Sequence, residues 1–422
     1  DWRNTHYRFT LPDNPKFMGP RDAIARIPDG AVLATSGLGG NTHATVLYWT
    51  IRELFEETGH PRDLTIACTG GQGGRGIVPG TVEAMGLEGL CTRFFTGHTE
   101  TFKAMLHLAD KGALEIQCIP QGTFALLLAE MGEGRNWILN DTGTGTFMDP
   151  RTGRGTPVTP GAPQYVRIEN GRFRYEMPFI DVAVFNAPAA DRKGNIYVKN
   201  CSMVAESYEI AKAAKKNGGY VIANVGLLVD EGYDDVFLPA EDIDAVVYYP
   251  WTEQSIGVKH TNCWKPFTLE SDWDVDRAFA YLLFLNQILG ITPRRKPIDF
   301  ALGRLAASIF AEEARPGCTV DIGIGLPEIA TRLLHEGGLL EQVNVLTESG
   351  VFGGLPSPGV YFGASACPKE IVSSAEAFRR IYAKLDAVSL GALEFDAAGN
   401  VNVSKRGEGA RNYVGPGGFI DL

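Results

Sequence analysis

Two segments of the sequence share the same three-part pattern, and this pattern constrains the fold more than any other feature. Residues 31–57, AVLATSGLGGNTHATVLYWTIRELFEE, and residues 317–338, GCTVDIGIGLPEIATRLLHEGG, each begin apolar, continue through a glycine turn and end in a helical period. A proline–glycine turn stands at the start of each, at Pro28-Asp29-Gly30 and Pro316-Gly317. The order strand, loop, helix is the unit of an α/β fold, so the sequence predicts that class.

A second pair of segments follows in the same order in both halves. Residues 179–198, FIDVAVFNAPAADRKGNIYV, are similar to residues 384–403, KLDAVSLGALEFDAAGNVNV. Each predicts a strand, a loop, an Asp-x-x-Gly-Asn turn and another strand, because a Gly-Asn pair tolerates positive φ and suits a hairpin. Two independent repeats in the same order indicate an internal duplication.

The length of 422 residues exceeds what one hydrophobic core supports, so we expect two domains. We predict an α/β architecture of two tandem, duplicated Rossmann-type domains: an N-terminal domain over 1–275, a connector helix over 276–294 and a C-terminal domain over 295–422. Strand carboxyl ends and domain junctions are where α/β proteins bind ligands, which favours a cleft between the domains. Two packed domains without a shared site are the alternative.

One carboxylate stands out in the stretch VNVLTESGVFGG, residues 343–354. Glu348 directly follows a buried-type strand, with no basic residue within several positions to pair with it. Partial burial there raises the pKa and removes hydration that weakens a carboxylate nucleophile. Glycines at 350, 353 and 354 would let a ligand approach the backbone. A solvated carboxylate at the rim of a loop is the alternative for Glu348.

A second glycine turn, GIGLP, should lie beside Glu348 in a parallel sheet. It is not the GxGxxG dinucleotide fingerprint, because proline stands where that helix would begin, and the chain has no GK[ST] phosphate loop. Its backbone N–H groups would suit a phosphate or the amides of pantetheine. Alternatively, its glycines serve only close packing of helix on sheet.

Composition excludes several classes of function. A net charge of −11 without a Lys/Arg-rich run argues against nucleic acid as a partner. No apolar stretch is long enough to span a membrane, and the first residues lack the order of a signal peptide, so we expect a cytoplasmic protein. The seven cysteines contain no CxxC and the seven histidines no HExxH, so we expect no metal.

Together, these motifs are similar to those of the class I coenzyme A transferases, in particular the single-chain type that acts on acetate, propionate and other short-chain acyl groups. The resemblance rests on TESGVFGG, GIGLP, GNVNVSK and GPGGFIDL in the second half, and on HPRDLTIACTGGQGGRG, GALEIQCIPQGT and GTGTFMDPR in the first. It covers nearly the whole chain and implies two fused CoA-transferase-like domains. Single-chain members usually continue beyond GPGGF, whereas this sequence stops at Leu422, which leaves open a truncated second domain.

The resemblance also implies roles for individual residues. Glu348 matches the glutamate that attacks the acyl-CoA carbonyl, and Gln121 and Gly418 match donors to the resulting oxyanion. Asn402 is a candidate further donor, although a role in the turn is open. The residues that the resemblance assigns to coenzyme A contact are Gly323, Ile324, Gly325, Leu326, Pro327, Gly353 and Gly354.

The function implied is ping-pong transfer of coenzyme A between a short-chain acyl-CoA and a free carboxylic acid. Acyl-glutamyl anhydride and glutamyl-CoA thioester intermediates would form on Glu348, with coenzyme A as substrate and no tightly bound cofactor. Relatives form homodimers or tetramers, and we expect the same here by analogy. The alternatives are an acyl-CoA hydrolase using the same glutamate and, from another class, a non-catalytic ligand sensor of this fold.

Overall fold

The computed structural model describes residues 3–262, 265–290 and 294–422. The α-helices of these residues are α1 Pro20–Ile24, α2 Thr45–Thr58, α3 Lys103–Asp110, α4 Gln121–Gly132, α5 Ser207–Lys216, α6 Val275–Leu289, α7 Pro297–Glu313, α8 Leu326–Glu336 and α9 Ser374–Ala383. None of them is both long enough and apolar enough to cross a bilayer.

The strands of the first half are β1 Val32–Thr35, β2 Leu64–Cys68, β3 Cys91–Thr96, β4 Glu115–Cys118, β5 Trp137–Asn140, β6 Val166–Glu169, β7 Arg172–Glu176, β8 Val182–Asp191, β9 Ile196–Tyr197, β10 Tyr220–Val229, β11 Ala245–Tyr248, β12 Glu253–Ser255 and β13 Val258–Lys259. Those of the second half are β14 Thr319–Ile322, β15 Asn344–Thr347, β16 Val351–Phe352, β17 Leu355–Pro356, β18 Ser365–Ala366, β19 Glu370–Ile371, β20 Ala387–Ser389, β21 Glu394–Phe395 and β22 Val401–Asn402.

The large N-terminal sheet has the order β11-β10-β8-β1-β2-β3-β4 and is parallel along this path. Only β9 runs antiparallel, against β8. Both faces are covered, because every residue of β1, β2 and β8 is buried. Continuous apolar strands under helices on both faces are typical of a doubly wound α/β domain.

The C-terminal sheet, with the order β19-β16-β15-β14-β20, repeats the centre of the first. Strand β14 lies between β15 and β20 with both pairings parallel, as β1 lies between β2 and β8. An aspartate carboxylate accepts a hydrogen bond near the start of each central strand: Asp181 from the Val32 N–H at 2.9 Å, and Asp386 from the Thr319 N–H at 2.8 Å. The predicted α/β fold and its repeat are thus confirmed.

The Asp-x-x-Gly-Asn turns are also confirmed. Asp191 Oδ1 accepts hydrogen bonds from the N–H groups of residues 193, 194 and 195, at 2.9–3.1 Å, and Oδ2 accepts from the Asn195 side chain at 2.8 Å. Asp396 binds the N–H groups of residues 398 and 400 and the side chain of Asn400 at 2.8–2.9 Å. The Asp191 side chain is buried, whereas Asp396 is exposed.

The two halves share part of their core. One cluster of buried residues combines Leu38 and Met203 from the first half with Val320 and Val351 from the second. Helix α6 packs into the same cluster and begins where the Asp274 carboxylate accepts a hydrogen bond from the Arg277 N–H. A helix is therefore present over Val275–Leu289, overlapping the predicted connector 276–294, whereas 291–293 lie outside the described residues; its role as a connector stays a prediction. The domain boundaries stay a prediction.

The repeated turn provides a matched stability test. Asp191→Ala leaves the buried Tyr197 hydroxyl and the partly buried N–H groups of Lys193 and Asn195 without their acceptor, so we expect it to lower the free energy of unfolding by about 3 kcal/mol. Asp396→Ala removes the same kind of contacts at an exposed turn, where water replaces them, and should cost less than about 1 kcal/mol. Urea unfolding followed by circular dichroism measures both. Equal losses for the two variants would contradict this reading of the turns.

Candidate active site

Glu348 lies in a three-residue hairpin turn, residues 348–350, between β15 and the antiparallel β16. The pair Thr347–Val351 closes the turn, and Gly350 adopts a φ of +94°. A Cβ on Gly350 would lie 2.0 Å from the Val372 carbonyl oxygen, so only glycine fits. The strand and tight loop predicted around Glu348 are confirmed.

The residues on either side of Glu348 fix the turn to the protein interior. Thr347 Oγ1 donates to the Gly363 carbonyl at 3.0 Å, and the Ser349 hydroxyl donates to the same oxygen. Both side chains are buried, while Glu348 is only partly buried. The flanking residues therefore hold the backbone, and the Glu348 carboxylate is the group that the turn presents.

Helix α4 brings Gln121 from the first half to Glu348. The helix begins at Gln121, shortly after β4 ends, and packs through Ala125 against Leu346 of β15 and Phe378 of α9. Gly122 permits this approach, because a Cβ there would lie 2.3 Å from the Phe378 ring. The Gln121 side chain donates a hydrogen bond to Glu348. The structure thus brings together two residues that the sequence analysis assigned to one site.

The segment 417–421 completes the surroundings of the carboxylate. A Cβ on Gly418 would lie 1.9 Å from Glu348 Oε1, so this backbone touches the carboxylate directly. Gly417 holds the segment in place: its N–H donates to the Gly97 carbonyl at 2.7 Å, and its own carbonyl accepts from the Gln121 N–H at 2.9 Å. Glu348, Gln121 and Gly418 therefore form one cluster between the two halves of the chain.

The environment of Glu348 favours its protonated form. Burial raises its pKa from 4.5 to about 7, the negative charge of Asp421 adds to this rise, and the hydrogen bond from Gln121 opposes it. A carboxylate that ionises near neutral pH and is poorly hydrated is both available as an anion and reactive.

Asp321 is a second acidic residue that the sequence analysis did not single out. It lies on β14 opposite Leu346 of the neighbouring parallel strand, so its side chain points to the same face of the sheet as Leu346. It is 1% exposed, and no side chain in the described parts of the chain hydrogen-bonds its carboxyl. Burial, together with the charge of Glu348, holds its pKa well above the usual range.

Asp421 is a third acidic residue, and its position was also missed. It is the penultimate residue of the sequence, yet its carboxylate binds the first turn of α4 in the other half. Burial raises its pKa to about 6. The available signal was local: Pro120 cannot cap a helix with its side chain, so α4 needs an acceptor from elsewhere.

The predicted coenzyme A loop lies where parallel pairing was expected to place it. Gly323 follows β14, and α8 begins at Leu326, next to the turn that carries Glu348 on β15. The N-cap residue Gly325 has a φ of +97°, and a Cβ there would meet open space. Ile324 is 45% exposed, and the Gly325 carbonyl accepts a hydrogen bond from Arg295 at 2.9 Å. The Gly323 N–H already donates to the Ser389 carbonyl at 2.9 Å, and the Gly325 N–H donates to Glu328 Oε1 at 3.1 Å. The open part of the loop is therefore the exposed Ile324 and the space beside Gly325.

Glycine is required at the positions after Glu348 for a different reason from the one expected from the sequence. A Cβ on Gly354 would lie 2.2 Å from the Ala366 carbonyl oxygen, and one on Gly353 would lie 2.8 Å from the Lys369 side chain. Protein atoms, rather than an open approach for a ligand, occupy these spaces. The expectation that these glycines clear a path to the backbone is wrong on this point, while their contact with coenzyme A stays a prediction.

Asn402 lies on the hairpin of β21 and β22. Its side-chain amide donates to Glu394 Oε1 at 2.7 Å and to the Lys405 carbonyl at 2.9 Å, and its oxygen accepts from the Ser404 N–H at 3.1 Å. Both amide hydrogens therefore have acceptors within the hairpin. A role as an oxyanion donor would require one of these bonds to break.

One group among the described residues has the spacing for a metal ion: His6, Glu53 and Glu57, near the surface. The Arg21 guanidinium forms an ion pair with Glu53 at 2.9 Å and another with Glu57. The carboxylates thus already have a cation, and we assign no metal function to them.

Comparison with known proteins agrees with the geometry. The sequence model of the family described as Coenzyme A transferase matches residues 17–247. The caffeate CoA-transferase of Acetobacterium woodii is 29% identical over 422 residues, covering 96% of this chain and 76% of that protein. The acetate CoA-transferase YdiF of Escherichia coli K12 is 28% identical over 417 residues, covering 96% and 73%.

A solved structure has the same fold. The acyl-CoA transferase YdiF of E. coli O157:H7, determined as a thioester complex with CoA, superposes with a TM-score of 0.79. The match covers 96% of this chain and 77% of that chain at 24% sequence identity. It extends the similarity beyond residue 247, into the half that contains Glu348.

The raised pKa of Glu348 has a consequence for stability. In the folded protein Glu348 ionises near pH 7 rather than 4.5, so its ionisation disfavours the native state increasingly between these values. Glu348→Gln removes that cost and should raise the free energy of unfolding by about 1–3 kcal/mol above pH 7, with little change at pH 4.5.

Urea unfolding at both pH values measures the difference, and Glu88→Gln, at an exposed position, is the control. A Glu348→Gln variant that is less stable than the parent at pH 8 would contradict the assigned environment.

Proposed function

The chain belongs to the coenzyme A transferase family, and we propose that it transfers coenzyme A between a short-chain acyl-CoA and a free carboxylic acid through Glu348. The observation that carries the proposal is the position of this one carboxylate. It lies between the Gln121 side chain of one half and the Gly418 backbone of the other, partly removed from water. This arrangement suits a carboxylate that takes up and releases an acyl group.

The first half-reaction has two steps. A Glu348 carboxylate oxygen attacks the carbonyl carbon of the acyl-CoA, the C–S bond breaks, and coenzyme A leaves as a thiolate from an acyl-glutamyl anhydride. The thiolate then attacks the glutamyl carbonyl carbon of this anhydride. The donor acid leaves as its carboxylate, and coenzyme A remains on Glu348 as a thioester. The acceptor carboxylate repeats both steps in reverse, so no proton is consumed overall.

Each attack turns a carbonyl oxygen into an oxyanion that needs donors already in place. The Gln121 amide is such a donor, because it already points at Glu348. The Gly418 N–H is the second, since this backbone touches Glu348 Oε1. Asn402 would add a third only after leaving its partners Glu394 and Lys405.

The remaining assignments concern coenzyme A. The loop 323–327, in which Ile324 is exposed, lies next to the Glu348 turn and is the candidate for contact with the pantetheine or phosphate groups. Gly353 and Gly354 shape the loop after Glu348, where their neighbours already fill the space of a side chain. Assembly as a homodimer or tetramer, a cytoplasmic location and a role in short-chain fatty acid metabolism stay predictions from the family resemblance.

Covalent trapping tests the nucleophile. After incubation with acyl-CoA, mass spectrometry of the intact protein should show one coenzyme A adduct, which borohydride reduction should locate at residue 348. Glu348→Ala should show no adduct and lose at least about 1000-fold in transfer rate. Glu348→Gln is the isosteric control and should also be inactive. An alanine variant that transfers at the parent rate would refute the assignment.

Transfer and hydrolysis would use the same glutamate, but they differ in the acceptor, which is a carboxylic acid in transfer and water in hydrolysis. Release of coenzyme A from acetyl-CoA or propionyl-CoA, measured with a thiol reagent, should be slow, and exchange into a different acyl-CoA should accelerate with added carboxylate. The rate should rise with pH through about 7, because the ionised Glu348 is the form that attacks. Equal turnover with and without an added acid would favour a hydrolase.

Gly418 offers a further test. A Cβ at this position would lie 1.9 Å from Glu348 Oε1 and displace the carboxylate. Gly418→Ala should therefore lower kcat by about 100-fold, as expected when a reacting group moves by 1 Å. Gly19→Ala is the control, because its φ is −68° and its nearest neighbour lies 3.6 Å from the added Cβ. Steady-state kinetics that show equal kcat for both variants would contradict the contact.

A further inference from the structure

Helix α4 begins without a cap from its own sequence. Its N-cap residue is Pro120, whose side chain makes no capping hydrogen bond, and the next residue is Gln121. The N–H groups of the first turn have no partner within a helix and need acceptors from outside it. This requirement falls on the turn that carries Gln121, the proposed oxyanion donor.

Asp421 meets this requirement from 299 residues further along the chain. Its Oδ2 accepts from the Gly122 N–H at 2.9 Å, and its Oδ1 accepts from the Thr123 N–H at 3.0 Å and from Thr123 Oγ1 at 3.3 Å. The Gln121 N–H donates to the Gly417 carbonyl at 2.9 Å. All three N–H groups at the start of α4 are therefore bound by the segment 417–421.

A third element holds Asp421 from the other side. The Tyr382 hydroxyl on α9 donates to Asp421 Oδ1 at 2.6 Å and lies 3.3 Å from the Thr142 hydroxyl. Asp421 N–H in turn donates to the Gly418 carbonyl at 2.9 Å, which closes the segment into a turn around the residue that touches Glu348. One carboxylate thus connects α4, α9 and the Gly418 backbone.

We propose that Asp421 is a positioning residue: by binding the start of α4 it holds the Gln121 amide and the Gly418 backbone against the Glu348 carboxylate, beside which it places a second negative charge. The inference rests on the proposed function, because positioning by Asp421 matters only if Glu348 attacks the acyl group. Asp421 does not itself react, and no bond to it is made or broken.

The charge of Asp421 gives the proposal a signature that a purely structural role lacks. The groups that face Glu348 are Gln121 on α4, the uncharged Gly418 backbone, Asp321 on β14 and Asp421 itself. Of the two neighbouring carboxyl groups, Asp421 is the one whose negative charge raises the pKa of Glu348. Removing that charge lowers the pKa of Glu348 and should move the acid limb of the pH–rate profile to lower pH.

Three variants of the full chain test this. Asp421→Ala removes cap and charge, and we expect kcat to fall by about 10- to 100-fold with KM for acyl-CoA changed less than about threefold. Asp421→Asn keeps one acceptor for α4 and removes the charge, so we expect a smaller loss of kcat and an acid limb shifted to lower pH. Tyr382→Phe leaves the α4 contacts in place but removes a donor that lowers the pKa of Asp421, so we expect kcat within about threefold of the parent and a smaller downward shift of the limb than in Asp421→Asn.

Transfer rates against pH and thermal midpoints, measured on each variant, decide the outcome. If Asp421→Ala fails to fold, the profile of Asp421→Asn decides alone. Parent kcat in Asp421→Ala, or an unmoved limb in Asp421→Asn, would overturn the proposal. Glu348→Ala, measured in parallel, separates a failure of this proposal from a failure of the proposed function. If Glu348→Ala is inactive while the Asp421 variants behave like the parent, only the role of Asp421 is refuted. If Glu348→Ala is active, the proposed function itself is refuted.

Discussion

The arrangement of the site depends on hydrogen bonds between the last residues of the sequence and the first turn of α4. Buried backbone N–H groups must find acceptors, and at this helix the local sequence supplies none. The carboxylate of Asp421 and the carbonyl of Gly417 supply them. Because Gly418 lies between these two acceptors and touches Glu348, satisfying the helix also fixes the backbone of the site. The same hydrogen bonds therefore stabilise the start of α4 and fix the geometry of the site.

Three carboxyl groups meet in this region, and their differing environments prevent them from simply repelling one another. Asp421 accepts bonds from two N–H groups and two hydroxyl groups, Glu348 accepts one from an amide, and Asp321 has no side-chain partner. A buried carboxyl group ionises more readily when more hydrogen-bond donors bind it. Burial raises the pKa of all three: to about 6 for Asp421, which binds the most donors, to about 7 for Glu348, and well above the usual range for Asp321. Glu348 can therefore ionise near neutral pH while binding fewer donors than Asp421.

Local patterns in the sequence predicted much of the fold. The glycine turns after β1 and β14, and the Asp-x-x-Gly-Asn turns at Asp191 and Asp396, depend on residues close together in the chain, and they were found. The position of Glu348 at the end of a strand was predicted for the same reason.

What the sequence could not provide was contact over long distances. The bond from Asp421 to Gly122 joins residues 299 apart: Pro120 indicates that α4 needs an outside acceptor, but no local pattern indicates which residue supplies it. The glycines at 350 and 354 were predicted to admit a ligand, whereas protein backbone fills the space beside them. A glycine shows only that a side chain does not fit, and the packed structure is needed to show which atoms exclude it. Asn402 illustrates the same limit, because its partner Glu394 belongs to the opposing strand of its hairpin.

The duplication explains why the site is shared between the halves. In the first half, β2 continues into a long loop and a third parallel strand, β3, followed by β4 and α4. In the second half, the equivalent strand β15 turns back at once into the antiparallel β16, and Glu348 occupies that turn. Strands equivalent to β3 and β4 are therefore lacking in the C-terminal sheet described here, and with them a helix in the position of α4. The half with Glu348 consequently uses the α4 of the other half, which brings Gln121 to Glu348, and the segment 417–421 bridges the two halves.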